Sequence, residues 1–349
     1  MKNHTRDELD TEYFVLRDEE AGLDGVIALH STALGPGAGG CRFWHYPSRE
    51  EMTVDAARLA RGMTYKNALA ELPLGGGKAV LRVPEGQYDR EKLFRAFGRE
   101  VEKLRGRYLT AEDVGTCVTD MEAISSETKH VAGLAQVPGR PGGDPSPWTA
   151  RGVFGAMRYL ALEHLGRPLA DCTVAIQGVG NVGGALARLL HAGGAKLILA
   201  DTNSERLAAL ATQTGAEVAA TSDFCSIKAD ILAPCALGGV FGEASTARVR
   251  AKIVCGAANN QLVSEQDGVR LAERGILYAP DCVVNAGGII NVAAEHLGWD
   301  EAEVVRRVDG TAERLARVLA RADQLDVAPN LAADGLARER VRQGTALAA

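Results

Sequence analysis

Thr173-Val174-Ala175-Ile176-Gln177-Gly178-Val179-Gly180-Asn181-Val182-Gly183 sets a short apolar strand directly against a GxGxxG turn, and a helical stretch follows over 184–192. A second apolar run, 196–200, ends on Asp201. Strand, glycine turn, helix, second strand and terminal acid in this order form the fingerprint of a dinucleotide-binding βαβ unit. Gly178 permits the tight turn, Gly180 lets backbone approach a pyrophosphate, and Gly183 allows close helix–strand packing. The helix start around Asn181 and Val182 offers free N–H groups and a positive dipole end to phosphates. Asp201 stands at the acidic position about 20 residues on, where a carboxylate bonds the adenosine ribose. A 2′-phosphate there meets like charge, so NAD is expected rather than NADP, with Arg206 close enough to temper the preference.

Outward from this unit the pattern continues as strands at 230–233, 252–255 and 277–279, a βαβαβ series that calls for a parallel sheet. Upstream, Pro138-Gly139-Arg140-Pro141-Gly142-Gly143-Asp144-Pro145-Ser146-Pro147 admits neither helix nor central strand, and reads as a linker or an interdomain loop. Before it, residues 25–33 look like a strand running into a glycine-rich turn, Gly35-Pro36-Gly37-Ala38-Gly39-Gly40. Residues 50–63 and 89–104 carry helical spacing, and 79–83 and 108–111 read as strands. The C-terminal part gives a charged helix over 301–324 and another over 329–342 opened by Pro329. The expected architecture is α/β in two domains. Residues 1–135 form an α/β substrate-binding and catalytic domain, joined by helices returning over 325–349, and 136–324 form a Rossmann-type domain.

Composition limits what this architecture does. The 349 residues suit two domains, with 46% hydrophobic and 24% charged residues as in ordinary globular proteins. A net charge of −6 and no basic run leave no footprint for nucleic acid. No apolar run reaches the roughly 18 residues of a transmembrane helix, and the polar Met1-Lys2-Asn3-His4 start carries no signal-peptide core. The seven cysteines, Cys41, Cys117, Cys172, Cys225, Cys235, Cys255 and Cys282, form no CxxC pair, and the histidines form no HExxH motif. They read as buried thiols in a reducing compartment, so no metal and a cytoplasmic location are expected.

A dinucleotide fold does not name a reaction. The chemistry-bearing candidates are Lys66, Lys78 and Asp113. Leu72-Pro73-Leu74-Gly75-Gly76-Gly77-Lys78 is no Walker A loop, because Leu72 stands where that motif needs glycine and Ala79 follows the lysine. Three glycines let backbone and ligand come close and hold the ammonium in a cleft. Two neighbouring, desolvated ammonium groups would depress one pKa and yield a general base, whereas solvated surface lysines would do nothing of the kind.

Together these segments resemble the family of glutamate, leucine, phenylalanine and valine dehydrogenases. The resemblance is carried by Gly35-Pro36-Gly37-Ala38-Gly39-Gly40-Cys41-Arg42, Gly62-Met63-Thr64-Tyr65-Lys66, the Leu72–Lys78 run and Thr110-Ala111-Glu112-Asp113. It continues through the Gly178 turn, Gly256-Ala257-Ala258-Asn259-Asn260-Gln261 and Tyr278-Ala279-Pro280-Asp281 to Asn285-Ala286-Gly287-Gly288. It implies NAD-dependent, reversible oxidative deamination of an L-amino acid to the 2-oxo acid and ammonia, by a homo-oligomer. On that model Lys66 holds the α-carboxylate, Lys78 activates water and Asp113 shuttles a proton at the amino nitrogen. Asn260 positions substrate and nicotinamide, Thr149 and Asn285 face the cofactor, and Gly40 and Met63 line the substrate cleft.

The resemblance also bears on the side chain accepted. Glutamate enzymes carry a lysine at the position of Ala38, and neither Ala38 nor Val292 can pair a second carboxylate, so glutamate is not expected. Ala111 and the β-branched Ile289 favour leucine, valine or isoleucine, while Ala38 in place of a leucine enlarges the pocket toward phenylalanine or tryptophan. Cys41 stands where threonine is frequent, and Trp148 has no role in this scheme. Two rivals remain: a non-catalytic NAD-binding sensor, which has no need of Lys66, Lys78 and Asp113 together, and a hydroxy-acid dehydrogenase, for which no His–Arg–acid set is evident.

Overall fold

The computed structural model describes residues 11–135 and 141–348, with side chains through Gly344. The polar N-terminal start and the first part of the Pro138–Pro147 segment lie outside the described residues. The chain packs as two compact units: Met1–Gly143 with Val292–Glu301 and Ala337–Ala349, and Asp144–Asn291 with Ala302–Leu336. Contacts thus give 292–301 to the first unit and keep 325–336 in the second, unlike the division drawn from sequence.

The first unit is a mixed sheet of β1 (Glu12–Asp18), β2 (Leu23–Ser31), β3 (Gly37–Ala38), β4 (Cys41–Trp44), β5 (Gly75–Arg82) and β6 (Tyr108–Leu109). Strands run in the order β1-β2-β5-β3-β6, and β4 pairs with the later part of β5. β1, β2 and β5 are antiparallel neighbours, while β3 and β4 lie parallel to β5. Side chains alternate across the sheet. Val26, Ala28 and Val80 meet Met52, Ala56 and Ala60 of α1 (Arg49–Leu69) on one face. On the other, Ile27, Leu29, Ala79 and Leu81 meet α2 (Arg90–Lys103) and α3 (Val118–Ser125) through Leu93, Phe97, Met121 and Ile124. Ser48 and Asp89 cap the first two helices, accepting from the amides of Glu51 and Lys92.

The glycine-rich segments depart from expectation. Gly37–Ala38 is a strand, and Gly75-Gly76-Gly77-Lys78 opens β5 rather than preceding it. Sterics explain the placement: a Cβ on Gly76 would stand 2.0 Å from Thr64 Oγ1 and 2.2 Å from Thr64 N. Helix α1 therefore rests against bare backbone of the central strand. Lys78, two residues beyond Gly76 and two before Val80, belongs to that same face.

The second unit is wholly parallel. β7 (Thr173–Gln177), β8 (Lys196–Ala200), β9 (Glu217–Val218), β10 (Ile231–Pro234), β11 (Ile253–Val254) and β12 (Leu277–Tyr278) lie in the order β9-β8-β7-β10-β11-β12. Numbered within the unit this is 3-2-1-4-5-6, the doubly wound order whose switch point lies between β7 and β10. Helices α4 (Ser146–Leu165), α5 (Asn181–Ala192) and α6 (Ser204–Thr214) end at Gly166, Gly193 and Gly215, the first and last left-handed. The predicted single helix over 301–324 is two, Glu301–Asp309 and Thr311–Leu325, separated at Gly310. All seven cysteines are free, but Cys117 is exposed, and its amide donates to Asp120 at the start of α3. No described helix is long and apolar enough to cross a membrane.

Gly76→Ala is expected to lower stability by about 1–3 kcal/mol, the range for overpacking a closed site, read from its urea-unfolding midpoint. An unchanged midpoint would contradict this helix–strand approach.

Candidate active site

Within the first unit, Lys78 is nearly dry: its side chain is 5% exposed, and its Nζ lies 3.0 Å from Asp113 Oδ2. Asp113 follows β6, where the chain runs back beside β4. Cys41 N donates to Ala111 O at 2.7 Å, and Thr116 Oγ1 bonds both the amide of Asp113 and the carbonyl of Cys41. Arg42 Nε reaches the same oxygen, Asp113 Oδ2, at 3.0 Å. Burial alone would raise the Asp113 pKa, but the charges and hydrogen bonds of Lys78 and Arg42 outweigh it and hold the carboxyl below its ordinary value. The structure gives Lys78 a carboxylate neighbour, because the chain after β6 brings Asp113 within 3.0 Å of the lysine that β5 presents.

The other candidates of this unit lie on α1, on β3, beside β4 and β6, and on the helix Gly287–Leu297. Met63 and Lys66 sit at i and i+3 on the last turns of α1, both half-buried. Ala38 and Ala111 are fully buried, and Gly40 packs so tightly that a Cβ there would meet Glu112 O at 2.3 Å and Asp113 Cβ at 2.9 Å. Asn67, buried beside Lys66 on α1, donates from Nδ2 to Gly75 O at 2.5 Å and ties the helix to the glycine strand. Val292 is half-buried on the helix Gly287–Leu297.

Within the second unit, the glycine turn occupies the switch point. Gly178 has φ +89°, and a Cβ there would lie 2.7 Å from Ala236 N, just past β10. A Cβ on Gly183 would lie 1.9 Å from Gly178 O, so helix α5 closes directly onto the turn. At Gly180 the nearest atom to a Cβ is Arg206 Nη1 at 3.5 Å, which leaves this backbone open. Tight on two sides and open at the middle glycine, the turn and the following Asn181 and Val182 fit a pyrophosphate. Asp201, at the end of β8, accepts from Val179 N at 2.6 Å and from Asn203 N at 2.7 Å. Partial burial would raise its pKa, but the amides of Asn203 and Val179, with Arg206, hold the carboxyl below its ordinary value and therefore charged near neutrality.

Further along this sheet, Asn285 Nδ2 bonds Ala257 O, Ala258 O and Asn259 Oδ1, and its buried Oδ1 has no partner among the described residues. Asn260 is exposed at φ +51°, its amide donating to Asp281 Oδ2 at 2.6 Å. Thr149, on the first turn of α4, donates to Pro145 O and packs beside Gly288, and Ile289 is half-buried one residue on. Trp148 lines a separate cavity of about 1110 Å³ with Phe154, Tyr159 and Leu189, which contains neither the glycine turn nor Asn285. Among the described residues no group of three or more His, Cys, Asp or Glu could hold a metal ion.

Sequence reasoning overlooked Arg42, Asp55 and Asp281. Arg42 and Asp281 lay inside quoted motifs, but Asp113 is 71 residues from Arg42 and no local spacing links them.

A doubly wound sheet with an open glycine turn, and a buried lysine–carboxylate pair in a separate domain, define a two-domain, dinucleotide-dependent dehydrogenase. The family model described as Glu/Leu/Phe/Val dehydrogenase, dimerisation domain, matches residues 10–130. The one described as Glutamate/Leucine/Phenylalanine/Valine dehydrogenase matches 197–347. The chain is 45% identical over 326 residues to a leucine dehydrogenase of Geobacillus stearothermophilus, covering 93% of this chain and 89% of that one. It is 43% identical over 334 residues to a valine dehydrogenase of Streptomyces albus, covering 95% and 92%. Among solved structures, L-tryptophan dehydrogenase from Nostoc punctiforme superposes with a TM-score of 0.82 at 37% identity, covering 95% and 96%. The chain belongs to the Glu/Leu/Phe/Val dehydrogenase family of amino acid oxidoreductases.

Because its folded pKa is depressed, Asp113 contributes stability that is present above the unfolded value of about 3.9 and is lost as pH falls through the folded value. Asp113→Asn is therefore expected to cost stability at pH 7 and progressively less below about pH 4 in urea unfolding. A penalty that stays constant from pH 7 to pH 3 would contradict the ionised pair.

Proposed function

We propose that the protein catalyses the NAD-dependent, reversible oxidative deamination of a branched-chain L-amino acid (leucine, valine or isoleucine) to the 2-oxo acid and ammonia. The observation that carries this reading is the buried Lys78–Asp113 pair, which puts a base and a proton shuttle 3.0 Å apart. The substrate class is supported by the leucine and valine dehydrogenases at 45% and 43% identity, against 37% for the tryptophan enzyme. Ala38 and Val292 offer no charged partner, so a second substrate carboxylate would lose its hydration uncompensated, at a cost of several kcal/mol. Ile289 and Val292 add apolar surface for an aliphatic side chain.

Each residue then has a task. Lys66 holds the substrate α-carboxylate as a point charge. Asp113 takes a proton from the amino nitrogen, and among the described residues no protein donor bonds its Oδ1. NAD, when bound, accepts the hydride from the α-carbon. Lys78 Nζ, acting in its neutral form, then takes a proton from the water that adds to the iminium carbon, and Asp113 returns its proton to nitrogen. Lys78 passes its proton to Asp113 and takes the hydroxyl proton of the carbinolamine as the C–N bond breaks, so ammonia leaves, the C=O bond forms and both protons go on to solvent. The 3.0 Å contact between Lys78 and Asp113 gives the proton a direct route between them. Gly178, Gly180, Asn181, Val182 and Gly183 would hold the pyrophosphate, Asp201 the ribose, and Thr149, Asn260 and Asn285 the nicotinamide end. The unpartnered Asn285 Oδ1 is an acceptor suited to a carboxamide N–H.

NAD is preferred over NADP because the charged Asp201 repels a 2′-phosphate. The protein acts as a homo-oligomer in the cytoplasm. The first assignment is supported by the description of residues 10–130 as a dimerisation domain, the second by seven free cysteines.

Lys78→Ala is expected to lower kcat by about 10²–10⁴-fold, the range for losing a general base, with the Kd for NAD nearly unchanged by titration calorimetry. Retained turnover would remove Lys78 from the mechanism, whereas parental protein that binds NAD but turns over no amino acid would bring the sensor reading forward. Asp201→Asn, which keeps the shape and an acceptor for the Val179 amide, is expected to raise the NADP-to-NAD ratio of kcat/KM by about tenfold. An unchanged ratio would mean that other groups set the cofactor preference.

A further inference from the structure

The Lys78–Asp113 pair does not end at Asp113. Arg42, on β4, bonds Asp113 Oδ2 through Nε at 3.0 Å and Asp55 Oδ2 through Nη1 at 3.0 Å. Asp55, on α1, is in turn fixed by Tyr46 Oη at 2.6 Å and Arg58 Nη2 at 2.7 Å. Strand, loop and helix are thereby joined into one chain of charge-assisted bonds, Lys78–Asp113–Arg42–Asp55, closed by Tyr46 and Arg58. The guanidinium fork spans the two carboxylates with its own geometry fixed, which a lysine cannot do. Lys78 and Arg42 both occupy Oδ2, which leaves Oδ1 without a protein donor among the described residues.

We infer that Arg42 is a positioning residue of this site. It holds the Asp113 carboxylate in one orientation, with Oδ1 presented to the substrate nitrogen, and Asp55 anchors Arg42. This role rests on the proton-shuttle reading of Asp113. The arginine also acts by charge, being one of the two cations that hold the Asp113 carboxyl low. The Cys41 thiol and the Tyr108 phenol also interact with Asp113, and burial pushes both upward, so both stay neutral. With Arg42 removed, the folded pKa of Asp113 rises, and the acidic limb of kcat against pH moves to higher pH.

The test uses the full-length protein with L-leucine and NAD, after Lys78→Ala has established that turnover depends on the site. Arg42→Gln is expected to lower kcat at least tenfold, leave KM for leucine within threefold and shift the acidic limb upward. Arg42→Lys, which restores the charge without the fork, is expected to return the limb toward its parental position while kcat stays low. Asp55→Asn removes an anchor but leaves the arginine charge. It is expected to lower kcat less than Arg42→Gln, without any upward shift of the limb. Far-ultraviolet circular dichroism confirms folding of each variant, and Asp55→Asn keeps the test decisive where Arg42→Gln does not fold. An acidic limb unmoved in Arg42→Gln, or a loss confined to KM, would overturn the inference while leaving the reaction intact. Loss of the reaction assignment itself would show earlier, as parental protein inactive or Lys78→Ala fully active.

Discussion

An ammonium and a carboxylate held 3.0 Å apart, with the lysine side chain almost out of solvent, constrain everything around them. Removing either charge from water costs several kcal/mol, and attraction compensates only where geometry is good and remaining valences are bonded. The first unit meets those conditions by bringing three strands and a helix unusually close. Gly76 lets α1 touch the central strand, Asn67 ties that helix to Gly75, and Gly40 allows the Asp113 segment to lie against β4. Arg42 then supplies the second cation. The glycines that make the segment look irregular in one dimension are what permit the pair in three.

The second unit solves a different problem with the same means. Its turn is tight at Gly178 and Gly183 and open at Gly180, so backbone amides rather than side chains face the phosphate position. Asp201 braces this turn through the Val179 amide while remaining charged. One residue thus supports the loop and sets the ribose preference on the proposed reading. Asp281 performs a similar bracing role for the loop at Asn260.

The second unit was the more legible of the two in sequence. Strands β7 and β8 begin and end where the apolar runs do, because buried parallel strands read as unbroken apolar segments bounded by glycine or acid. Helix α2 was equally plain from the helical spacing over 89–104, which the structure places at Arg90–Lys103. Strand β9 at Glu217–Val218 was not legible, since both residues are exposed and pair only along one edge. The Gly35–Gly40 and Gly75–Gly77 segments misled because strand propensity penalises glycine, whereas close approach of neighbouring backbone requires it. At the site, Lys66, Lys78 and Asp113 stood out through the family resemblance. The partner of Lys78 did not, since it depends on which strands become neighbours. For the same reason the Arg42–Asp55 bridge had no signal within any single motif.

The most direct measurement is NAD reduction followed at 340 nm with the purified protein at alkaline pH. The panel is L-leucine, L-valine, L-phenylalanine, L-tryptophan and L-glutamate, with D-leucine as control. Turnover on L-leucine and L-valine is expected to exceed that on the aromatic substrates, with none on L-glutamate or D-leucine. Absence of turnover on every L-amino acid, in protein shown separately to bind NAD, would contradict the assignment of Lys78 and Asp113 to deamination.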